Sequence, residues 1–168
     1  MKKARVLLLD DEKEFVDVMK DRLELAGYTV TGCYDVAQAL QEVQEADYDV
    51  AIVDLIMPDT DGITAMQRIR IVRPLMECIV LSGQGTLRLA VESMKQGAFD
   101  FLEKPCEQAV VTKIIDEAFA RKQEQDHRIR RAASKVYSKL EQAMVGATFA
   151  QAGQLDTATE ILNKKQTQ

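Results

Sequence analysis

The stretch "YDVAIVDLIMPDTDG", Tyr48 to Gly62, decides how this chain is read. Val50, Ala51, Ile52 and Val53 make a short apolar run, the pattern of a strand buried on both faces. The run ends on a charge, Asp54. Pro58 follows four residues later within a cluster of acidic and turn-forming residues, which marks a loop. A hydrophobic strand that delivers a carboxylate to its own end raises the question of what that end is for.

Working outward, the same kind of run recurs. "RVLLLD" (5–10), "TVTGCY" (29–34), "DVAIVD" (49–54), "ECIVLS" (77–82) and "FDFLEK" (99–104) read as five strands. Helical periodicity fills the gaps. Phe15, Val18, Met19, Arg22, Leu23 and Ala26 fall three and four apart, and Gly27 stops that helix. Asp35 caps a second helix carrying Val36, Ala39, Leu40 and Val43. A third runs from Ile63 to about Ile71, with Ile63, Met66, Ile69 and Arg70 in periodic positions, before Pro74 breaks the chain. "TLRLAVESMKQG" is a fourth helix, closed by Gly97. Pro105 is expected to open a fifth, with Val110, Val111, Ile114, Ile115, Ala118 and Phe119. Apolar strands separated by amphipathic helices predict a doubly wound, five-stranded parallel α/β sheet of the flavodoxin-like type. We assign it to residues 1–120, with an α-helical tail over 121–168.

Composition narrows the function. With 46% apolar residues the chain can bury a core, and a net charge of −5 argues against generic nucleic-acid binding. The charge is uneven: residues 1–120 hold 13 basic and 22 acidic side chains, residues 121–168 hold 9 and 5. An acidic body with a mildly basic tail suggests two units with different partners. Three widely spaced cysteines (Cys33, Cys78, Cys106) fit neither a disulfide framework nor a zinc site. The basic start is followed by only four apolar residues before Asp10, too few for a signal peptide, and no run reaches transmembrane length. A cytoplasmic protein is expected, with no membrane contact.

In an open parallel sheet, ligands bind beyond the carboxyl ends of the strands. Those ends carry Asp10 and Asp11, Asp54, Ser82 and Lys104. Clustered carboxylates repel, and a hard divalent cation with oxygen ligands, Mg²⁺, is their natural neutraliser. Mg²⁺ keeps positions for water or phosphate oxygens, Lys104 can neutralise a phosphoryl oxygen, and Ser82 can donate a hydrogen bond to another. These are the parts of a phosphoryl-transfer site. Asp11, just before "EKEF", equally suits a helix cap.

The acidic pair at 10–11, "DLIMPDTDG" from Asp54, "LSG" with Ser82 and "FDFLEKP" with Phe101, Lys104 and Pro105 resemble, in order and spacing over residues 4–120, the receiver domain of two-component response regulators. The resemblance implies that Asp54 accepts a phosphoryl group from a histidine kinase or phosphotransfer protein. It also implies Mg²⁺ on Asp10, Asp11, Asp54 and the backbone carbonyl of Ile56. Lys104 would bridge the acceptor carboxylate and then the phosphoryl group, across a cis bond to Pro105. Ser82 and Phe101 would form a switch pair, the hydroxyl moving toward the phosphoryl group and the ring turning inward. Such a protein is not an enzyme beyond catalysing its own Mg²⁺-dependent phosphorylation and dephosphorylation. Ser82 stands where threonine is commoner in the family, and Phe101 lacks the hydroxyl of the frequent tyrosine. Phe101 also suits plain core packing.

From Arg121 the fifth helix is expected to continue. Ile129, Ala133, Val136, Leu140, Ala143, Ala147 and Ala150 alternate four and three apart, a coiled-coil-like seam. Gly153 reads as a stop and "DTATEILNKK" as a short final helix, with Thr157 and Glu160 as a capping box. The stretch "ATFAQAGQLDTATEILNK" faintly resembles one tetratricopeptide unit, which alone cannot bury its face. Dimerisation through the tail, docking of a downstream protein partner and packing on the body all fit. The alternative function is a transcriptional response regulator with a minimal DNA-binding tail. "RIRR" is basic, but no recognition-helix pattern follows Gly153. A phosphatase acting on small esters lacks any evident general acid. His127, set among charges in "QDHRIRR", reads as an exposed helix residue and not as a phosphoryl donor.

Overall fold

A computed structural model describes residues 3–58, 60–83 and 86–151. The elements alternate along the chain as β1 (Arg5–Leu9), α1 (Lys13–Leu25), β2 (Thr29–Cys33), α2 (Val36–Glu45), β3 (Val50–Val53), α3 (Gly62–Val72), β4 (Glu77–Ser82), α4 (Leu87–Lys95), β5 (Asp100–Glu103) and α5 (Gln108–Gln151). All strand pairs are parallel, in the order β2-β1-β3-β4-β5. The order reverses between β1 and β3, so a crevice opens beyond their carboxyl ends.

Alternation along each strand builds two cores. Val6, Leu8, Ile52, Ile79 and Leu81 meet Val16, Met19 and Leu23 of α1 and Val111, Ile115 and Ala118 of α5. Leu7, Leu9, Ala51, Val53 and Val80 meet Ala39 and Val43 of α2 and Ala65, Met66 and Ile69 of α3. Each fully buried Leu or Ile side chain contributes roughly 2–3 kcal/mol of transfer free energy. Side chains of Asp35, Asp61 and Thr86 cap α2, α3 and α4. Gly27 and Gly97, after α1 and α4, have φ of +92° and +95°, where a Cβ would be strained.

Two expectations need correction. Val18 is 50% exposed, because α1 turns Val16, Met19 and Leu23 to the sheet. Pro105 does not open α5. Val110 and Val111 both donate to the Glu107 carbonyl, which sets the first turn at Gln108 and leaves 104–107 as loop. On α4 the apolar residues Leu87, Val91 and Met94 are exposed and only Ser93 is buried. The cis Lys104–Pro105 bond is present.

The chain divides into two units, residues 1–124 and 125–168. In the first, α5 is tied to the starts of β3 and β4. Lys122 Nζ lies 2.6 Å from Asp49 Oδ1. Arg121 pairs through two nitrogens with Glu77, which is buried, and its guanidinium stacks 4.4 Å from the Phe99 ring. Removing one partner of such a pair strands charge in a poor solvent. Arg121→Ala is expected to cost about 2 kcal/mol, discounted for the half-exposed guanidinium. The cost should shrink when Glu77→Gln is added. Urea unfolding midpoints of the two variants check this.

In the second unit, residues 125–151 are helical, and Ile129, Val136, Tyr137 and Leu140 are all more than half exposed. His127 is exposed as expected. Gly153 and the final helix expected over "DTATEILNKK" lie outside the described residues.

Candidate functional site

Strand register builds the site. Leu9 pairs with Val53, so Asp10 and Asp54 emerge side by side one step later. The Asp54 N–H donates to the Leu9 carbonyl at 2.9 Å and the Asp10 N–H to the Cys33 carbonyl at 3.1 Å. Asp10 is 1% and Asp54 6% exposed, while Asp11 faces solvent. One oxygen from each of the three carboxylates falls within a mutual span of 4.8 Å.

Lys104, on the loop after β5, closes the cluster. Its ammonium donates to Asp10 Oδ2 at 2.5 Å and lies 3.6 Å from Glu12 and 3.9 Å from Asp54 Oδ1. The expected ion pair between Lys104 and the Asp54 carboxylate is present at 3.9 Å, but the ammonium lies nearer Asp10, to which it donates at 2.5 Å. Asp54 Oδ1 is the buried side-chain oxygen without a hydrogen-bond partner among the described residues. Burial pushes the Asp54 carboxyl above its ordinary range. Lys104 pulls it back, the Asp10 charge pushes it up again, and backbone N–H groups of Ile56 and Leu55 ease it down.

The capping alternative for Asp11 falls away. The α1 N-cap is Glu12 with no side-chain cap, and the Glu12 N–H donates instead to Asp10 Oδ1 at 2.9 Å. Ser82 is fully buried at the end of β4, and its carbonyl accepts from the Lys104 N–H at 2.9 Å. Phe101 is half-buried and packs against the α2/α3 side of the sheet. The backbone of Ile56 bridges to that of Asp61, which fixes the loop beyond Asp54.

Sequence reasoning missed two contributors. Phe15, read as a core position, places its ring 4.0 Å from the Lys104 ammonium. Gly62 lets α3 approach the strand end, since a Cβ there would lie 2.1 Å from the Asp54 carbonyl oxygen. Its position at the close of "DTDG" was the only signal. The obstructing atoms, on Asp54 and Leu55, are all backbone, so Gly62→Ala is expected to cost on the order of 3 kcal/mol and to displace Asp54. Thermal denaturation together with Mg²⁺ titration would detect both effects.

The donor set suits a hard cation. Three clustered carboxylates, one with an orphaned buried oxygen and one open to solvent, match the oxygen-only, partly hydrated sphere of Mg²⁺.

Comparison with known proteins fits this geometry. The response regulator receiver domain model matches residues 6–116. The chain belongs to that family. The receiver is 35% identical over 117 residues to the transcriptional regulatory protein FixJ of Bradyrhizobium diazoefficiens, covering 69% of this chain and 57% of FixJ. It is 30% identical over 118 residues to the DNA-binding transcriptional regulator NtrC of Azospirillum brasilense, covering 70% of this chain and 24% of NtrC. Among solved structures, a receiver domain protein from Clostridium thermocellum superposes with a TM-score of 0.69 at 32% identity, covering 73% of this chain and 98% of that one. The chain thus spans less than two thirds of the length of these curated relatives. No helix among the described residues is long and apolar enough to cross a membrane.

Proposed function

We propose that this receiver accepts a phosphoryl group on Asp54 from the phosphohistidine of a histidine kinase or phosphotransfer protein. One observation carries the reading: a buried carboxylate with an orphaned oxygen, flanked by Asp10, Asp11 and Lys104. An Asp54 oxygen attacks phosphorus, the P–N bond of the donor breaks as the P–O bond forms, and the released imidazole nitrogen takes up a proton. Asp10, Asp11, Asp54 and the Ile56 carbonyl would hold Mg²⁺, which supplies charge neutralisation for the transferring phosphoryl group. Lys104 leaves Asp10 to pair with a phosphoryl oxygen, and the Ser82 hydroxyl donates to another. Phe101 fills the space Ser82 vacates, changing the face formed by α4, β5 and α5. Catalysis is confined to the chain's own modification. With no disulfide among its three cysteines, two of them buried, we place the protein in the cytoplasm.

The test is incubation of the full chain with phosphoramidate, a small P–N donor, with and without Mg²⁺. Mg²⁺-dependent gain of one hydroxylamine-labile phosphoryl group on Asp54 is expected. Labelling elsewhere, or none, would sink the reading.

Output we assign to self-association through α5. A second copy of this chain can cover Ile129, Ala133 and Val136, the exposed apolar seam of α5. In a parallel pair the flanking positions join Gln125 to Arg130, Ala132 to Tyr137 and Lys139 to Met144, so no like charges meet. Sedimentation with beryllofluoride and Mg²⁺ should show a dimer that Ile129→Ser with Val136→Ser abolishes; a monomer throughout rejects the assignment. The DNA binding in NtrC's name does not pass to this chain, because the match covers only 24% of that protein.

A further inference from the structure

The ammonium of Lys104 is held by two groups, and phosphoryl transfer as described uses only one of them. Asp10 supplies the ion pair at 2.5 Å. The other is the face of Phe15, with the ring centroid 4.0 Å from Nζ. Phe15 lies in the first turn of α1, half-buried against the α1/α5 core, so its ring has little freedom to follow the ammonium. Lys104 is itself mostly sheltered, its side chain 13% exposed, and a desolvated ammonium gains more from an aromatic face than an exposed one. Glu12 at 3.6 Å and Asp54 at 3.9 Å compete for the same ammonium. Charge alone offers the ammonium three carboxylates; the ring adds an attraction that holds it where it lies, nearest Asp10.

We propose that Phe15 is a positioning residue that holds Lys104 nearer Asp10 than Asp54 in the unphosphorylated chain. The inference rests on the phosphoacceptor reading of the site and extends it to the resting state. Two consequences follow. Asp10 can serve a cation fully only when Lys104 gives it up, so the ring opposes Mg²⁺ binding. Lys104 must also leave the ring to reach a phosphoryl group on Asp54, so the ring favours the resting arrangement. A leucine or methionine at position 15 would fill much the same apolar space without the negative face that attracts the ammonium.

The test uses the full chain as wild type, Phe15→Leu, Phe15→Met, Phe15→Tyr and Lys104→Ala, and Phe15→Leu combined with Lys104→Ala. Two readouts are taken: Mg²⁺ affinity by titration calorimetry, and the Lys104 Hε signals by NMR of ¹³C-labelled protein. Wild type and Phe15→Tyr should show Lys104 Hε shifted upfield by the ring current, and Phe15→Leu or Phe15→Met should return it to the ordinary lysine position. Phe15→Leu should tighten Mg²⁺ binding about threefold to tenfold, with no effect of the same change in the Lys104→Ala background. If position 15 serves packing alone, Phe15→Leu lowers the melting temperature and leaves Mg²⁺ affinity unchanged, or alters it equally in both backgrounds. Either result overturns the proposal, as does an ordinary Lys104 signal in the wild type. Failure of the wild type to bind Mg²⁺ would instead overturn the metal reading of the site, and the Lys104 signal would still decide whether Phe15 holds the ammonium.

Discussion

Asp54→Asn will eliminate phosphoryl uptake and at the same time make the fold more stable. The first effect follows from loss of the nucleophile: the amide has no carboxylate to attack phosphorus, and labelling should fall about 1,000-fold or more, as with other removed nucleophiles. The second follows from the cost of keeping Asp54 charged. Its carboxyl is raised above the ordinary value of 3.8 by burial, an effect Lys104 offsets in part and the Asp10 charge adds to. A raised carboxyl binds its proton more tightly folded than unfolded. Its favourable contribution is complete below 3.8 and is lost as pH rises through the folded value. Wild type should therefore melt below Asp54→Asn at neutral pH without Mg²⁺, and the gap should close as the pH is lowered toward 3.8. Melting curves across that range, with acid-labile phosphoryl counts, check both halves. A variant that melts below wild type at neutral pH would refute the electrostatic account of the site.

Lys104→Ala should move two functions in opposite directions. The ammonium sits 2.5 Å from Asp10 and 3.9 Å from Asp54, and any cation entering the carboxylate cluster must compete with it. Unit charges about 4 Å apart interact by about 4 kcal/mol at the effective dielectric of a partly exposed site. Part of that is already relaxed by solvent, and we expect Mg²⁺ to bind on the order of tenfold more tightly without the lysine. Phosphoryl uptake should nonetheless fall about 100-fold, because the positive charge that meets the transferring group is gone. Calorimetric titration and phosphoramidate labelling on one preparation separate the two. Weaker Mg²⁺ binding would show that Lys104 organises the carboxylates instead of competing for them.

Much of this architecture was legible in local patterns. Val50 to Val53 had to be a doubly buried strand, since four consecutive apolar, mostly β-branched residues ending at a turn have few other uses. Asp35 announced its helix and indeed caps Gln38. Val18 was misplaced because α1 has apolar residues on more than one side, and only the sheet selects which of them it buries. The start of α5 was misplaced because proline suits a first turn in general, whereas here the Glu107 carbonyl organises it.

Periodicity and turn chemistry act over a few residues, so the five strands and the groups at their ends are readable locally. Which carboxylate Lys104 lies nearest depends on how distant segments pack. Asp10 and Lys104 are 94 positions apart, and Phe15 enters from a helix on the same face. Burial, a sheltered ring and three competing acids meet at distances that differ by little more than an ångström. At that range the ammonium's partner is set by how the segments pack, which no pattern within any one of them encodes.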